Sequence, residues 1–585
     1  MENIGDSPAG VGPEGQREGR DDAVAAETRR ADAGAPAWAR ARLPYLAGGA
    51  AVIGVLFSVL QFSTRSICCG DFDGYYHVGW SRMLWEGLRA GRFPPPFTQL
   101  PLTALNPQDY VDHHFLFHLL QIPAQWFGDP VLGAKVLTAL FAAAAVFACY
   151  WLVVRYRLRY PVMWLLALLA CSAPFLYRMN MAKAMSVSIV LLVAGIYFLF
   201  ERKYLRLLPL AFVFSLAYDL WVLLGVAAVA WAAAESWAER RAEWRAVLAC
   251  VYVLAGGALG YVINPYFPHN LELMVEHVLM KVTGGDFSTA VGGEWYPYNT
   301  WEFLGNSVVA CMAAVAGYVA FDVRDRKGSQ RALFMLLFST ALLIVHLRWK
   351  RFAEYWPPFA VLFAAFSVQA ALDAARSSAG RLPSDVLDEL QPYLDRNERP
   401  EDEERRSWWR EYALVFVVSV YLAVQGVSYA VVTSRDIAGS AGPDHYRGGI
   451  AWLKANVAPG EMIFNTSWDN FPRLFYFAPE FRYVSGLDPT YLQDQNPELH
   501  KLYEEITTGR TEDPGPLIRE RFNARYVFTD NEHEDFVNVA LDSGWFDEPV
   551  YEDENCTILR LRDAKGTPPP APEADEPEGE EEQEP

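Results

Sequence analysis

Residues 131–154 read Val-Leu-Gly-Ala-Lys-Val-Leu-Thr-Ala-Leu-Phe-Ala-Ala-Ala-Ala-Val-Phe-Ala-Cys-Tyr-Trp-Leu-Val-Val and run straight into Arg155, Arg157 and Arg159. A stretch of about 18 apolar residues with few charges is what a helix needs to cross a bilayer. Similar runs recur at 246–263 and 411–432. The chain of 585 residues is 52% hydrophobic, yet its mean hydropathy is only +0.05. Both numbers hold together when apolar and polar residues are segregated into long blocks. A single soluble globular domain is therefore excluded. So is a disordered chain, because 19 Trp, 29 Tyr and 35 Phe are far too many aromatics for one. The net charge of −20 lacks the basic footprint of nucleic-acid binding, so no nucleic-acid partner is expected. Seven cysteines without a C-x-x-C pair indicate neither a zinc ribbon nor a disulfide framework, and the adjacent Cys68 and Cys69 are read as unpaired.

Basic connectors set the topology, because Lys and Arg gather on the cytoplasmic side. They are Arg155/Arg157/Arg159, Arg202/Lys203/Arg206, Arg240/Arg241/Arg245 and Arg324/Arg326/Lys327/Arg331, with a mixed-charge stretch at 376–410. Placing all of them inside requires two crossings between each pair. The result is a mainly α-helical multi-pass membrane protein of about eleven spans. They lie near 43–62, 131–154, 161–177, 184–200, 207–218, 221–235, 246–263, 302–321, 332–347, 355–372 and 411–432. Two of the hairpins carry polar breaks, at Arg178–Lys183 and at Tyr218–Asp219–Leu220–Trp221. Reading 207–235 as one long tilted helix instead gives ten spans and moves the C-terminal segment to the other side.

Residues 1–42 form a disordered cytoplasmic tail on this reading. The transmembrane domain is 43–435, with long outer loops at 63–130 and 265–301. Residues 436–565 alternate helical and strand patterns: helices at Tyr446–Asn456 and Pro516–Asn523, strands at Glu461–Asn465 and Arg525–Thr529. This predicts a small extracytoplasmic α/β domain. Residues 566–585 are a disordered acidic tail. Pro383–Leu394 has an amphipathic pattern suited to the membrane surface. The expected location is a prokaryotic plasma membrane, with the N-terminus cytoplasmic.

Chemistry gathers in the outer loops. Asp71 and Asp73 stand two residues apart just past the first span, before Gly74-Tyr75-Tyr76-His77. They suit a divalent cation, or a nucleophile in need of orientation and deprotonation. Asp73 could equally cap a helix over Tyr75–Leu88. Asp112-His113-His114-x-x-x-His118 offers further ligands, or structural hydrogen bonds. Arg348, Lys350 and Arg351 break the positive-inside pattern at an outer span end and suit a phosphate or pyrophosphate. Their bland reading is snorkelling, or pairing with Glu354. Gly292-Gly293-Glu294-Trp295 suits a substrate-covering loop or a plain turn. Trp468 and Asp469 follow a strand, where site residues commonly sit, or serve only to pack.

Taken in order, these motifs resemble the GT-C superfamily of integral-membrane glycosyltransferases, and within it the catalytic subunits of oligosaccharyltransferases. Asp73-Gly-Tyr-Tyr-His is similar to that family's first acidic motif. Arg351-Phe-Ala-Glu-Tyr355-Trp-Pro357 is similar to its donor-phosphate segment. Ala451-Trp-Leu-Lys454 followed by Trp468-Asp469 resembles the run that opens its soluble domain.

The resemblance implies a glycosyltransferase. It would move a sugar or oligosaccharide from a polyprenyl-(pyro)phosphate-linked donor in the membrane lipid to an acceptor (glycan, lipid or protein) at the extracytoplasmic face. Asp73 is the implied catalytic base or acceptor-orienting carboxylate, with Asp71 assisting. Arg351, with Arg348 and Lys350, is the implied donor-phosphate site. Tyr75, Tyr76, His77, Glu294, Trp468 and Asp469 are substrate contacts. A divalent metal, Mg or Mn, is implied at Asp73, with Asp71, Asp112, His113 or Asp219 as further ligands. Two departures stand out. The turn Arg178-Met-Asn-Met-Ala-Lys183 lacks the family's second carboxylate, and Ser467 replaces the first Trp of Trp-Trp-Asp. The alternative function is a transporter or flippase of lipid-linked sugars, or a non-catalytic GT-C relative. Against the transporter stand the absence of internal repeats and the gathering of charges at the outer boundary.

Overall fold

The structure, a computed structural model, describes residues 37–69, 72–275, 292–379 and 400–566, without the side chains of 37–41, 376–379 and 400–408. Asp71, the amphipathic segment Pro383–Leu394, most of both tails and the middle of the second outer loop lie outside the described residues.

The described chain is mostly helical. Apolar composition and length together make seven helices long enough to cross a membrane: Arg42–Gln61, Pro130–Arg155, Asp219–Glu239, Trp244–Ile263, Gln330–Arg348, Trp356–Ala375 and Trp409–Ala438. The count reaches nine if two bent pairs are single spans. These are Pro161–Leu169 with Ala173–Met179, bent by 79°, and Thr300–Asn306 with Val308–Ala320, bent by 85°. Met185–Phe200 and Tyr204–Ala217 are shorter apolar helices. Every one of the eleven expected segments is thus helical, but seven to nine meet the length criterion, fewer than the expected eleven. Two bends account for the difference between seven and nine, and the two shorter helices Met185–Phe200 and Tyr204–Ala217 for the rest. Ser172 starts a new helix by accepting from the Phe175 amide, which ends the preceding run early. The single-tilted-helix alternative for 207–235 fails, because Tyr218 is extended (φ −167°, ψ 139°) and separates Leu207–Ala217 from Val222–Glu239.

One apolar core, from Ile53 and Phe57 through Leu192 and Phe338 to Ile437, unites these helices. Close approach within it depends on glycine. A Cβ at Gly256 would meet the Leu208 carbonyl oxygen, and one at Gly260 the Ser215 hydroxyl. Two glycines four apart on one face let Trp244–Ile263 lie directly on Leu207–Ala217.

The C-terminal portion folds around a five-stranded sheet of order β2-β1-β3-β5-β4. The strands are β1 (Met462–Asn465), β2 (Arg482–Tyr483), β3 (Ala524–Asp530), β4 (Tyr551–Glu552) and β5 (Cys556–Arg560). β1 runs parallel to β2 and β3, with Ile463 opposite Tyr526, and β5 returns antiparallel with Ile558 opposite Phe528. All four residues of β1 are buried, as expected of a parallel strand covered on both faces. The helices Arg447–Asn456 and Pro514–Phe522 fall where the pattern predicts them.

This portion does not stand apart from the rest. Phe471, Phe475 and Phe528 share one core with Tyr76, Trp80, Phe97 and Tyr110 of the first long loop. The loop and the sheet therefore lie on the same side of the helical bundle. Cys68 and Cys69, read as unpaired from the sequence, are joined to each other in this loop.

Candidate functional site

The helix Asp73–Arg89 starts two residues earlier than its pattern suggests, with Phe72 at the N-cap in the left-handed region (φ 53°) and no side-chain cap bond. Asp73 is therefore the first helical residue, and the capping reading is set aside. Its carboxylate meets a cation instead: Lys183 Nζ lies 2.7 Å from Asp73 Oδ2. Gly74 permits the tight placement of this corner, since a Cβ there would fall 2.7 Å from Ile67 Cγ2 and 3.3 Å from the Cys68 carbonyl oxygen.

Below Asp73 on the same helix lies a buried polar relay. His77 Nδ1 is 2.7 Å from His118 Nε2, and His118 Nδ1 is 2.8 Å from Asp112 Oδ1. Asp112 also accepts from the Trp80 indole N–H at 2.8 Å. If His118 donates its Nδ1–H to the carboxylate, its Nε2 must accept, so His77 Nδ1–H donates. Burial, with His118 and Lys183 nearby, holds His77 well below the ordinary histidine range. It is a neutral imidazole at neutral pH. The metal-ligand reading of Asp112 with His113 is thus corrected. The partner is His118, because His113 and His114 precede the helix Phe115–Gln121 rather than ride on it. His114 stacks on Tyr218 instead, and His113 lines a separate cleft with Asp219, Tyr261 and Asn270.

The second half of the site is a ladder of guanidiniums and carboxylates. Arg351 Nη1 donates to Glu294 Oε1 at 2.6 Å, and Arg351 Nη2 to the Tyr218 hydroxyl at 2.8 Å. Its guanidinium also lies 5.1 Å from the centre of the Trp295 ring. Arg178 Nη2 donates to the other Glu294 oxygen at 2.7 Å, and Arg178 Nε to the fully buried Glu354 at 2.7 Å. Burial alone would raise the Glu294 carboxyl. Arg351, Arg178 and Lys183 outweigh it and hold the group well below the usual carboxylate range. Glu354 thus pairs with Arg178, not with the Arg348–Arg351 cluster as the bland reading has it. Lys350 pairs with Glu302 at 3.6 Å, and Arg348 is exposed.

The remaining candidates occupy the seam. Tyr75 and Tyr76 are buried. Tyr75 is held by Arg473 at 3.3 Å, and Tyr76 bonds Tyr110 at 3.0 Å. They anchor the helix Asp73–Arg89 and are not open to a substrate. Asp469 accepts from Ser467 at 2.5 Å, and burial raises its carboxyl. Trp468 is the side chain that a Cβ on Gly292 would approach first, at 3.8 Å. The C-terminal portion therefore reaches the loop that carries Glu294.

Two ion-paired groups, Asp73 with Lys183 and Glu294 with Arg351 and Arg178, are bridged by rings: the neutral His77 lies 5.4 Å from His114, which stacks at 5.2 Å on Tyr218, the acceptor of Arg351. Sequence reading missed the roles of Arg178, Lys183 and Tyr218. The sequence carried the signal: both polar breaks in the apolar hairpins, Arg178–Lys183 and Tyr218–Trp221, supply side chains to this site. Ionisable residues inside apolar segments mark sites by default.

The described donors around Asp73, Asp112 and Glu294 do not fit a divalent cation. Asp73 faces an ammonium, Asp112 is committed to His118 and Trp80, and Glu294 lies between two guanidiniums. Among the described residues, which exclude Asp71, no three His, Cys, Asp or Glu side chains converge as a metal site.

No family model matches the chain, and no curated protein matches it by sequence. Solved structures do match by fold. The archaeal oligosaccharyltransferase AglB from Archaeoglobus fulgidus, in complex with an inhibitory peptide and a dolichol-phosphate, is similar at a TM-score of 0.56 and 11% identity. The match covers 86% of this chain and 72% of that one. The same enzyme with Zn and sulfate matches at 0.52 and 10% identity, over 88% and 73% of the two chains. ArnT from Cupriavidus metallidurans, bound to undecaprenyl phosphate, matches at 0.51 and 14% identity, over 90% and 99%. These neighbours are GT-C membrane glycosyltransferases, and the chain has their fold, as the sequence resemblance implies. At such identities the likeness concerns the fold alone.

Proposed function

We propose that this chain is a GT-C glycosyltransferase that transfers a sugar or oligosaccharide from a polyprenyl-(pyro)phosphate-linked donor. The observation that carries the reading is that the helix opened by Asp73 near the start of the chain meets the Arg351 group far downstream, through His77, His114 and Tyr218. The fold supports it, as do the dolichol-phosphate and undecaprenyl phosphate held by the structural neighbours.

In this account the acceptor's nucleophilic atom approaches Asp73, whose carboxylate takes its proton as the new bond to the sugar's anomeric carbon forms. The bond from that carbon to the donor phosphate oxygen breaks, and the phosphate leaves on its lipid. Charge developing on it is neutralised by Arg351 and Arg178, with Lys350 nearby. Fixed cations facing the atoms that gain charge are commonly the largest catalytic contribution. Lys183 pairs with Asp73 and orients it, in the place where a second carboxylate and a metal would otherwise act. No step passes through a metal.

Glu294 holds the two guanidiniums before the donor arrives and yields to the phosphate. Ser467, standing for the first Trp of Trp-Trp-Asp, argues for an acceptor other than a sequon peptide. The proposed setting is a prokaryotic plasma membrane crossed about eleven times. The N-terminus is cytoplasmic, and residues 436–565 form an extracytoplasmic domain beside the site. Mass spectrometry of envelope glycans and lipid-linked sugars, with and without the protein, tests this. The expected result is accumulation of one lipid-linked sugar and loss of one glycan; unchanged profiles oppose it.

A further inference from the structure

A charged cavity lies at the other end of the bundle. Arg42, Arg155, Arg157 and Arg331 surround a space of about 450 Å³ together with Tyr156 and Glu201. That volume falls within the range of roughly 300–1,000 Å³ typical of small-ligand sites. Four guanidiniums face one carboxylate. Glu201 is held by Arg155 at 3.2 Å and by the Tyr156 hydroxyl at 3.1 Å. Arg331 lies 4.4 Å from the centre of the Tyr156 ring, and Arg42 donates to the Arg155 carbonyl oxygen at 3.3 Å. Arg157 is exposed and has no acidic partner among the described residues. Arg155, Arg157 and Arg331 alone, against Glu201, leave the cluster with more positive charge than it neutralises.

Its place in the fold defines what can reach it. Arg42 begins the candidate span Arg42–Gln61, Arg331 begins Gln330–Arg348, and Arg155 ends Pro130–Arg155. The far ends of the first two lead to Asp73 and Arg351. A helix of this length rises roughly 30 Å, so the basic cavity and the charged cluster around Asp73 sit at opposite membrane boundaries. A cavity at the end of several spans, at headgroup depth and lined by guanidiniums, is open to lipid phosphate from the side and to solutes from below.

We infer that this cavity binds the phosphate of an anionic lipid headgroup in the leaflet opposite the Asp73 site. Arginine forks take phosphate oxygens in pairs, and basic pockets between membrane helices capture anionic headgroups in this way. A bound phosphate relieves the mutual repulsion of the four guanidiniums and ties together the ends of three spans. The site is independent of the transfer reaction and of its reading.

The test uses the full chain in detergent with defined lipids added back: phosphatidylglycerol, phosphatidylcholine and soluble glycerol 1-phosphate. Retained lipid is counted by native mass spectrometry. The expected result is retention of phosphatidylglycerol over phosphatidylcholine, weakened about fivefold by each of Arg157→Gln and Arg331→Gln and abolished by high salt. Glycerol 1-phosphate should compete only weakly. Equal retention of both lipids, or variants that keep the full preference while melting like the unaltered chain, would overturn the site. Tight binding of glycerol 1-phosphate in place of lipid would overturn the lipid assignment. A melt unchanged from that of the unaltered chain serves as the folding control for both variants.

Discussion

Glu294→Gln probes the site at its most constrained point. The carboxylate bridges Arg351 at 2.6 Å and Arg178 at 2.7 Å, with its side chain 20% exposed. Charge-assisted hydrogen bonds of this kind contribute about 1.5–3 kcal/mol each in net terms. A phosphate that takes the same two guanidiniums must first displace that carboxylate. Glutamine keeps the shape and one acceptor oxygen but removes the competing charge. If about half of the net interaction is lost at each arginine, the phosphate gains roughly 1.5–3 kcal/mol, or about 10- to 100-fold in affinity.

The substitution also has a cost. Two largely buried guanidiniums lose a counter-charge, although Arg178 retains Glu354 and Arg351 retains Tyr218. A destabilisation of about 1–2 kcal/mol follows, visible as a lower melting temperature. The assay is equilibrium binding of polyprenyl phosphate, without sugar, to the purified chain and variant, with a salt titration and parallel melts. Tighter binding by a less stable protein is the expected pair of results. Unchanged or weaker binding in a variant that still melts cooperatively would refute the idea that Glu294 holds the phosphate's place.

Other outcomes follow from the same geometry. Lys183→Asp restores a second carboxylate beside Asp73, and Mn(II) affinity measured by electron paramagnetic resonance should rise by roughly tenfold or more over the unaltered chain; equal affinity would contradict the donor-set argument. Gly256→Val drives a side chain into the Leu208 carbonyl, with an expected loss of about 1–3 kcal/mol and a lower melting temperature in detergent; an unchanged melt would show that the two helices can separate freely. His77, held well below its unfolded value near 6.5, is neutral in the folded chain. As pH falls below about 6.5 the unfolded chain binds a proton that the folded chain refuses, so stability drops toward the lower folded value. His77→Gln should flatten the part of the melting-temperature loss between pH 7 and 5 that this group causes, and an identical pH slope in the variant would count against the buried-imidazole account.

Much of the fold was legible because hydrophobic runs are long-range statements about solvent. All eleven expected segments are helical, and the β1 and β3 patterns fall on strands. Where helices bend was not legible. Ser172 interrupts a run that composition alone reads as continuous, whereas the break at Tyr218 falls at the polar turn expected from the sequence. The site was legible one residue type at a time. Asp73, Glu294 and Arg351 each stood out, but their partners did not, because pairing depends on tertiary packing. Lys183 looked like the absence of an expected acid, and only its 2.7 Å approach to Asp73 shows that it faces the remaining one. Tyr75 and Tyr76 misled in the opposite way. An aromatic next to an acidic motif suits a substrate, but the C-terminal helix Phe471–Phe477 covers both.

The central claim is that Asp73 takes the acceptor's proton while Arg351 receives the departing phosphate. The direct measurement is transfer from a polyprenyl-linked sugar in membranes that carry either the unaltered chain or Asp73→Ala, with products identified by mass spectrometry. The account predicts a loss of at least about 100-fold with expression and folding retained. Transfer by Asp73→Ala at the unaltered rate would contradict it.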